Sequence, residues 1–349
     1  GSGPGGRPPG PDPFTRSNLR GHAPPSTKVP PLFAYVLRRV LATIPLLMLT
    51  LYLVHVGVSA TTNPLADFYL CLPKCQQGYD RILEVYNLDV SIWLRPFLWF
   101  QDAATGDLGF SSSIGLPVSE VLRVRGWNTA MIAVPAFIFG SIIALLLSVY
   151  SARRQYSFGD YFFTGVSFIG FAFPSFVMAL LLQNIFGVQF ENWFGVKPFN
   201  TGRKTGENVL ELLRDITLPA TSLAILGIAA DSRFGRAAML ETLNQDYIRT
   251  ARAKGLNERR VVWRHALRNA LIPIVTLWAL SLSALLGGAV VTESIFSWPG
   301  LGPAFLKALA EPDLALVLGF VIFTGVITVV FNLIADLRYG ILDPRIRFD

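Results

Sequence analysis

A chain of 349 residues has room for two soluble domains, but 52% hydrophobic and only 15% charged residues exclude that reading, since soluble domains carry about 25% charged residues. The apolar excess falls in long runs, which points to bilayer spans in an all-α membrane protein rather than to one large core. The net charge of +7 is concentrated as well: Arg233–Arg268 holds nine basic residues against three acidic ones, six of the seven net charges. In a membrane protein such asymmetry reports orientation, so it predicts a cytoplasmic segment and no nucleic-acid binding.

In chain order, residues 1–31 are rich in Gly and Pro and lack apolar periodicity. They predict a disordered cytoplasmic tail, with no cleavable signal peptide, ahead of a transmembrane domain over residues 32–349. Spans are predicted at about Val40–Ser59, Asn128–Tyr150, Tyr161–Gly187, Leu271–Phe296 and Leu314–Ala335, each near or above the ~20 residues a crossing needs. A fourth in chain order, Ile216–Ala230, has only 15 residues before Asp231 and contains Pro219. Charge bookkeeping decides for it. With six spans the basic segment, Arg153-Arg154, both termini and the Arg345/Arg347 tail share the cytoplasmic side, and with five they do not.

Residues 61–127 then form an extracytoplasmic segment between the first two spans. Leu83, Leu88, Ile92, Trp93, Phe97 and Trp99 recur there with polar residues between them, which predicts short helices against the membrane surface or the outer mouth of the bundle. The only two cysteines, Cys71 and Cys75, fall in this segment. In an oxidising compartment they are most simply a disulfide, with free thiols the alternative. Two thiolates supply half of a tetrahedral site, so no metal is predicted.

Catalytic signatures are missing from the sequence. It contains no G-x-x-x-x-G-K-[ST] phosphate loop, no H-E-x-x-H and no G-x-S-x-G elbow. His22, His55 and His265 are too scattered to assemble one site. His55 lies in the first span, where a titratable group is a functional candidate or else an interfacial histidine near the headgroups. The span centres offer no carboxylates by this reading, which argues against proton coupling.

Asp246–Gly255 predicts a helix in the basic segment. Ile248, Ala251 and Gly255 give it a narrow small-residue face suited to close approach by a partner, and Arg249 and Arg252 stand on another face, suited to clamp carboxylates. Gly255 is placed to end the helix in a left-handed turn. Asn257-Glu258 reads as an N-cap and first-turn acid opening a second helix, in which Trp263, Leu267, Leu271 and Ile274 lead into the fifth span. The alternative is a solvated basic loop.

These residues resemble a known family. Asp246–Gly255 followed by Arg268-Asn269-Ala270-Leu271-Ile272-Pro273 is similar to the cytoplasmic motif of the B-type permease subunits of bacterial dipeptide and oligopeptide ABC importers. On the importer pattern E-A-A-x-x-x-G, Arg249, Thr250, Ala251 and Gly255 take the motif positions, with Arg and Thr replacing Glu and Ala. Gly106-Asp107-Leu108-Gly109, Phe173-Pro174-Ser175-Phe176, Glu293–Gly302 and Leu342-Asp343-Pro344-Arg345-Ile346-Arg347 resemble further family stretches. Asn63-Pro64 stands where the family has Gly-Asp-Pro, and the two cysteines and the Pro-rich tail are extra.

The resemblance implies the type I ABC importer permease fold of six transmembrane helices in a bacterial cell membrane. It implies a second, C-type permease, two cytoplasmic ATPase subunits carrying the ATP and Mg, an extracytoplasmic substrate-binding protein and surrounding membrane lipid, with no cofactor on this chain. The expected coupling residues are Asp246, Tyr247, Arg249, Thr250, Ala251, Arg252, Ala253, Lys254 and Gly255. Ser175, Gln183, Asn184 and Glu293 are candidates for the translocation path or for helix packing, and Pro135 and Pro174 for kinks. The expected cargo is a dipeptide or oligopeptide. Relatives that carry nickel, glutathione or oligosaccharide are the alternative, and a secondary transporter needing no ATPase is the reading from another class.

Overall fold

The computed structural model describes residues 1, 3, 32–61, 65, 75–202 and 208–342, so the N-terminal tail, Cys71 and the end of the C-terminal motif lie outside the described residues. Five helices are long and apolar enough to cross a membrane, and a bent pair makes a sixth crossing if counted as one span. They are α1 (Leu32–Thr61), α4 (Val118–Arg153), α8 (Val209–Leu243), α11 (Leu267–Gly288) and α14 (Leu314–Leu342). Between α1 and α4 come α2 (Gln76–Val85), α3 (Arg95–Ala104) and an antiparallel hairpin, β1 (Phe110–Ser111) with β2 (Leu116–Pro117).

The third and fourth spans reverse the expectation. The fourth, which looked short, is an unbroken 35-residue helix with Pro219 inside it. Asp215 and Asp231, taken as its boundaries, lie within it and are buried, and Asp215 accepts a 2.6 Å bond from Asn200 Nδ2. A buried carboxylate with a hydrogen-bond donor loses much of the penalty that makes it look like a span end. Helix α8 thus carries two buried carboxylates that flank its apolar stretch without ending it.

The third span, which looked continuous, is broken. It comprises α5 (Phe158–Ala172) and the stretch Ser175–Phe194, set at 103° to each other. Phe173 is extended (φ −77°, ψ 131°), as the residue before a proline must be, and Pro174 has no N–H to continue the helix. The 15 residues of α5 reach about 22 Å, short of the ~30 Å hydrocarbon core. Beyond the bend, α6 (Ser175–Leu182) passes through a π-helical turn, Gln183–Gln189, into α7 (Phe190–Phe194). Pro135, by contrast, sits inside the continuous α4.

Helices α4 and α8 pack along their length, and small residues set their approach. A Cβ on Gly140 would already touch the Ala224 backbone at 3.5 Å, and Ser148 Oγ donates to Ser232 O at 3.0 Å. An ion pair ties α5 to α8: Arg236 donates to both oxygens of buried Asp160, at 2.9 and 2.8 Å, while Tyr156 N–H donates to the same carboxylate.

At the other end of the bundle, Asp313 holds the hairpin to the start of α14. It is fully buried and accepts from Ser111 Oγ (2.6 Å), Ser113 Oγ (2.8 Å), Ser113 N and Leu316 N. Trp99, Phe100 and Tyr86 pack with Leu51, Leu314 and Leu318, so this part of the segment lies against α1 and α14. Burial, then the nearby Asp313 charge, pushes the Tyr86 phenol above its ordinary pKa and keeps it neutral. Trp93 and Phe97 remain exposed. His55 is 4% exposed and lies 6.4 Å from the Trp99 ring, and among the described residues neither ring nitrogen has a hydrogen-bond partner. Cys75 is disulfide-bonded.

Candidate functional site

The basic segment folds into an elbow. Helix α9 (Asp246–Ala253) stops at Gly255, whose φ of +73° is left-handed. Gly255 N–H donates to Arg252 O and Leu256 N–H to Ala251 O, and Leu256 packs beside Ala251. This paired pattern with a glycine at its centre is a Schellman stop. Asn257 then accepts from Arg259 N at 2.9 Å and caps α10 (Glu258–Arg260), which runs through a second π-helical turn, Val261–Ala266, into α11. Stop glycine, cap and following helix all fall where the sequence places them.

The predicted docking face does not. Ile248 is 0% and Ala251 8% exposed, and both pack into a core shared with Val149 and Ala152 of α4, Met239 of α8, and Val261, Val262, Ala266 and Ala270. The small-residue face therefore serves approach to the chain's own helices, and Ala251 is unavailable to a partner. Burying Ile248 fully contributes about 2–3 kcal/mol, and it welds α9 to three long helices at once. Asp246, Tyr247, Arg249, Thr250, Ala253 and Lys254 form the outward face.

Arg252 also differs from expectation. Its Nη2 and Nε donate to the two Glu258 oxygens at 2.8 and 3.2 Å, closing the elbow across Gly255, and the bond raises the guanidinium pKa above its ordinary value. It clamps a carboxylate of its own chain. Tyr247 Oη accepts from Asn269 Nδ2 at 2.6 Å, a second strut to the start of α11. Trp263, predicted to lie in the apolar stripe with Leu267 and Ile274, is instead 42% exposed. The π-helical turn adds a residue to the winding and puts the stripe out of phase.

The path candidates separate. Gln183 and Asn184 line a cavity of about 460 Å³ with Val177, Leu180, Leu181, Val188 and Thr201, and among the described residues no charged side chain borders it. Gln183 Nε2 is spent on Ile295 O (3.0 Å) and Thr201 O. Asn184 is exposed, and its amide has no partner among the described residues. Ser175 opens α6 just after the bend and is not in that lining. Glu293 is 0% exposed and accepts from Thr129 Oγ1 (2.6 Å) and Gly302 N (2.7 Å), as the helix-packing alternative has it.

Around Glu293, Asn128 and Trp298 exchange bonds with each other's neighbouring backbone. A Cβ on Gly300 would collide with the Glu293 carboxylate, and one on Gly302 with Val290. The knot fixes the link from α12 (Val290–Ile295) to α13 (Leu301–Ala310) against the N-terminal half of α4. Sequence reasoning missed Asp313, Thr129 and Asp160, whose partners lie 76 to 202 residues away. Among the described residues no group of three or more His, Cys, Asp or Glu side chains is placed to hold a metal.

Comparison with known proteins gives this arrangement a family. The profile of the binding-protein-dependent transport system inner membrane component matches residues 136–348, from within α4 through the elbow to the C-terminus. The chain is 38% identical over 321 residues to the oligopeptide transport system permease protein AppB of Bacillus subtilis, covering 90% of this chain and 99% of that one. It is 34% identical to the oligopeptide transport system permease protein OppB of Mycobacterium tuberculosis, over 90% and 98% of the two chains. It is 33% identical to the dipeptide transport system permease protein DppB of Alkalihalophilus pseudofirmus, over 91% and 100%. A multi-span bundle, an elbow rigidly built into it and this match over most of the length agree: the chain belongs to the binding-protein-dependent transport system inner membrane components, the permeases of ABC importers.

Proposed function

We propose that this chain is the B-type permease subunit of an ATP-driven bacterial importer of dipeptides or oligopeptides, forming half of the translocation path beside a C-type permease. The elbow is the coupling element, resting on one of two cytoplasmic ATPase subunits that carry the ATP and Mg. The observation that supports this most directly is the shared core that joins Ile248 and Ala251 to α4, α8 and α11. Force applied to the outward face of α9 reaches three long helices through close-packed side chains, which yield little. An importer of this kind alternates between two arrangements of its half-bundles, and the elbow biases which is occupied.

Placing the elbow on the cytoplasmic side puts the nine cations of Arg233–Arg268 inside, with both termini, and makes the bent α5–α6 pair one crossing. The extracytoplasmic binding protein then meets the hairpin and the α13 end of the bundle. The cavity at Gln183–Gln189 suits peptide cargo because its walls are apolar and Asn184 offers an amide that donates and accepts, as a peptide bond does. With no charged side chain lining it among the described residues, selection among peptides falls to the binding protein.

Gly255→Trp tests the coupling role. No atom lies within 4 Å of a Cβ at Gly255, so the fold accommodates the side chain apart from about 1–2 kcal/mol of left-handed strain. In the reconstituted complex, ATP hydrolysis should persist while peptide uptake falls at least about tenfold, equivalent to ~1.4 kcal/mol. Unchanged uptake rejects the coupling role. Asn184→Leu should lower uptake and leave hydrolysis and assembly intact, and equal uptake removes the cavity from the path.

A further inference from the structure

The arginines of the basic segment are not equivalent. Arg236 is paired with Asp160 and Arg252 with Glu258, while Arg249 lies 3.7 Å from Asp246. Arg233 stacks over Phe168 and Phe171, with centroid distances of 4.9 and 4.3 Å. The side chains of Arg260, Arg264 and Arg268 have no ion pair or hydrogen bond among the described residues. These three recur every fourth residue from α10 into α11, all are exposed, and exposed Trp263 adjoins Arg264. Asp246 and Glu258, two of the segment's three acidic residues, are already engaged by Arg249 and Arg252.

Height along the helix separates the three. The apolar run of the fifth span begins at Leu271. At 1.5 Å per residue, Arg268 lies at most about 5 Å, Arg264 about 11 Å and Arg260 about 17 Å on the aqueous side of it. The headgroup layer is roughly 5–8 Å thick on each face, and an arginine bends its long stem toward it. Arg268 and Arg264 are therefore the two nearest that layer and Arg260 is the farthest from it. Trp263 has the apolar body and single N–H donor typical of side chains at this boundary.

We propose that Arg264 and Arg268, flanked by Trp263, form a docking surface for the headgroups of anionic phospholipids on the cytoplasmic leaflet. Unpaired guanidinium groups match a phosphodiester with forked N–H donors, and an exposed indole packs against the glycerol region. The motor is the competing occupant, because Asn269 touches Tyr247 of the coupling helix. It is disfavoured because these cations lie on the helix entering the bilayer, whereas the motor-facing surface of α9 is across the Gly255 elbow. The cytoplasmic assignment rests on the coupling reading; lipid retention is measured independently of it.

The test is native mass spectrometry of the purified complex, titrated with phosphatidylglycerol or phosphatidylcholine at equal concentrations. The wild-type protein should retain phosphatidylglycerol in preference, and Arg264→Gln/Arg268→Gln should lower that retention about tenfold or more. Arg264→Lys/Arg268→Lys keeps the charge and should retain most of it. Equal retention of the two lipids by wild type, or an unchanged preference in the glutamine variant, overturns the proposal. So does loss of the ATPase subunits from the glutamine variant with its lipid preference intact, which assigns the cations to the motor. If the glutamine variant does not insert, the wild-type preference and its retention in the lysine variant decide. Failed coupling in Gly255→Trp leaves this readout untouched, so the two ideas fail separately.

Discussion

The elbow and the link at the opposite end of the bundle are held together by different means. At that link, the outer end in the proposed orientation, two fully buried carboxylates, Glu293 and Asp313, gather hydroxyl and backbone N–H donors, several of them from segments far apart in sequence. The elbow, at the proposed inner end, is held by an apolar core, the Asn269–Tyr247 strut and one half-exposed ion pair, Arg252–Glu258. Hydrogen bonds to a dry carboxylate demand one geometry and are costly to leave half-made. Apolar packing is less directional. The contrast teaches that the α12–α13 link is fixed by directional bonds, while the elbow is joined to its helices by packing, as the proposed coupling role requires.

Three substitutions probe that contrast. The largest effect should come from Glu293→Ala, which strands Thr129 Oγ1 and Gly302 N in a dry site and costs about 3 kcal/mol or more. The thermal midpoint of the purified complex should fall several degrees, and an unchanged midpoint would show that the outer knot is not a rigid brace. Ile248→Ala comes next, at about 2–4 kcal/mol for a fully buried side chain. It should loosen α9 selectively, measured as faster amide exchange in 246–256 than in α13; equal acceleration in both would erase the distinction between the two ends.

Arg252→Glu should have the smallest effect on stability, below about 1 kcal/mol, because both partners are half-exposed. Its effect should appear in uptake per ATP hydrolysed, and adding Glu258→Arg should restore the ratio. Failure of the reversed pair to rescue, with both variants assembled, would mean that Arg252 acts on a partner subunit rather than through the elbow.

What the sequence could reveal follows the reach of each interaction. The elbow spans few residues, so its stop glycine, its Asn257 cap and its exit into a span were readable. The direction in which Ile248 and Ala251 face was not, because a small-residue stripe looks the same whether it meets a partner or its own chain. Hydropathy misplaced the difficulty in the spans. Buried Asp215 and Asp231 made a continuous helix look short, while a stretch without charges hid a 103° bend at Phe173-Pro174. Pro174 was recognised as a kink, but not its size. The outer carboxylates join residues 164 to 202 positions apart, and one sequence gives no register for such pairs.

The π-helical turn at Val261–Ala266 stands between the elbow and the fifth span and carries one more residue than regular winding needs. It is a built-in unit of slack. Removing one residue there lets the turn close to ordinary α winding with the helix on either side still in phase. The same deletion within α11 turns everything beyond it by about 100° and carries Ile274 out of the core. A change of length between elbow and span can thus be absorbed at this turn, where the two can be refitted without rebuilding either.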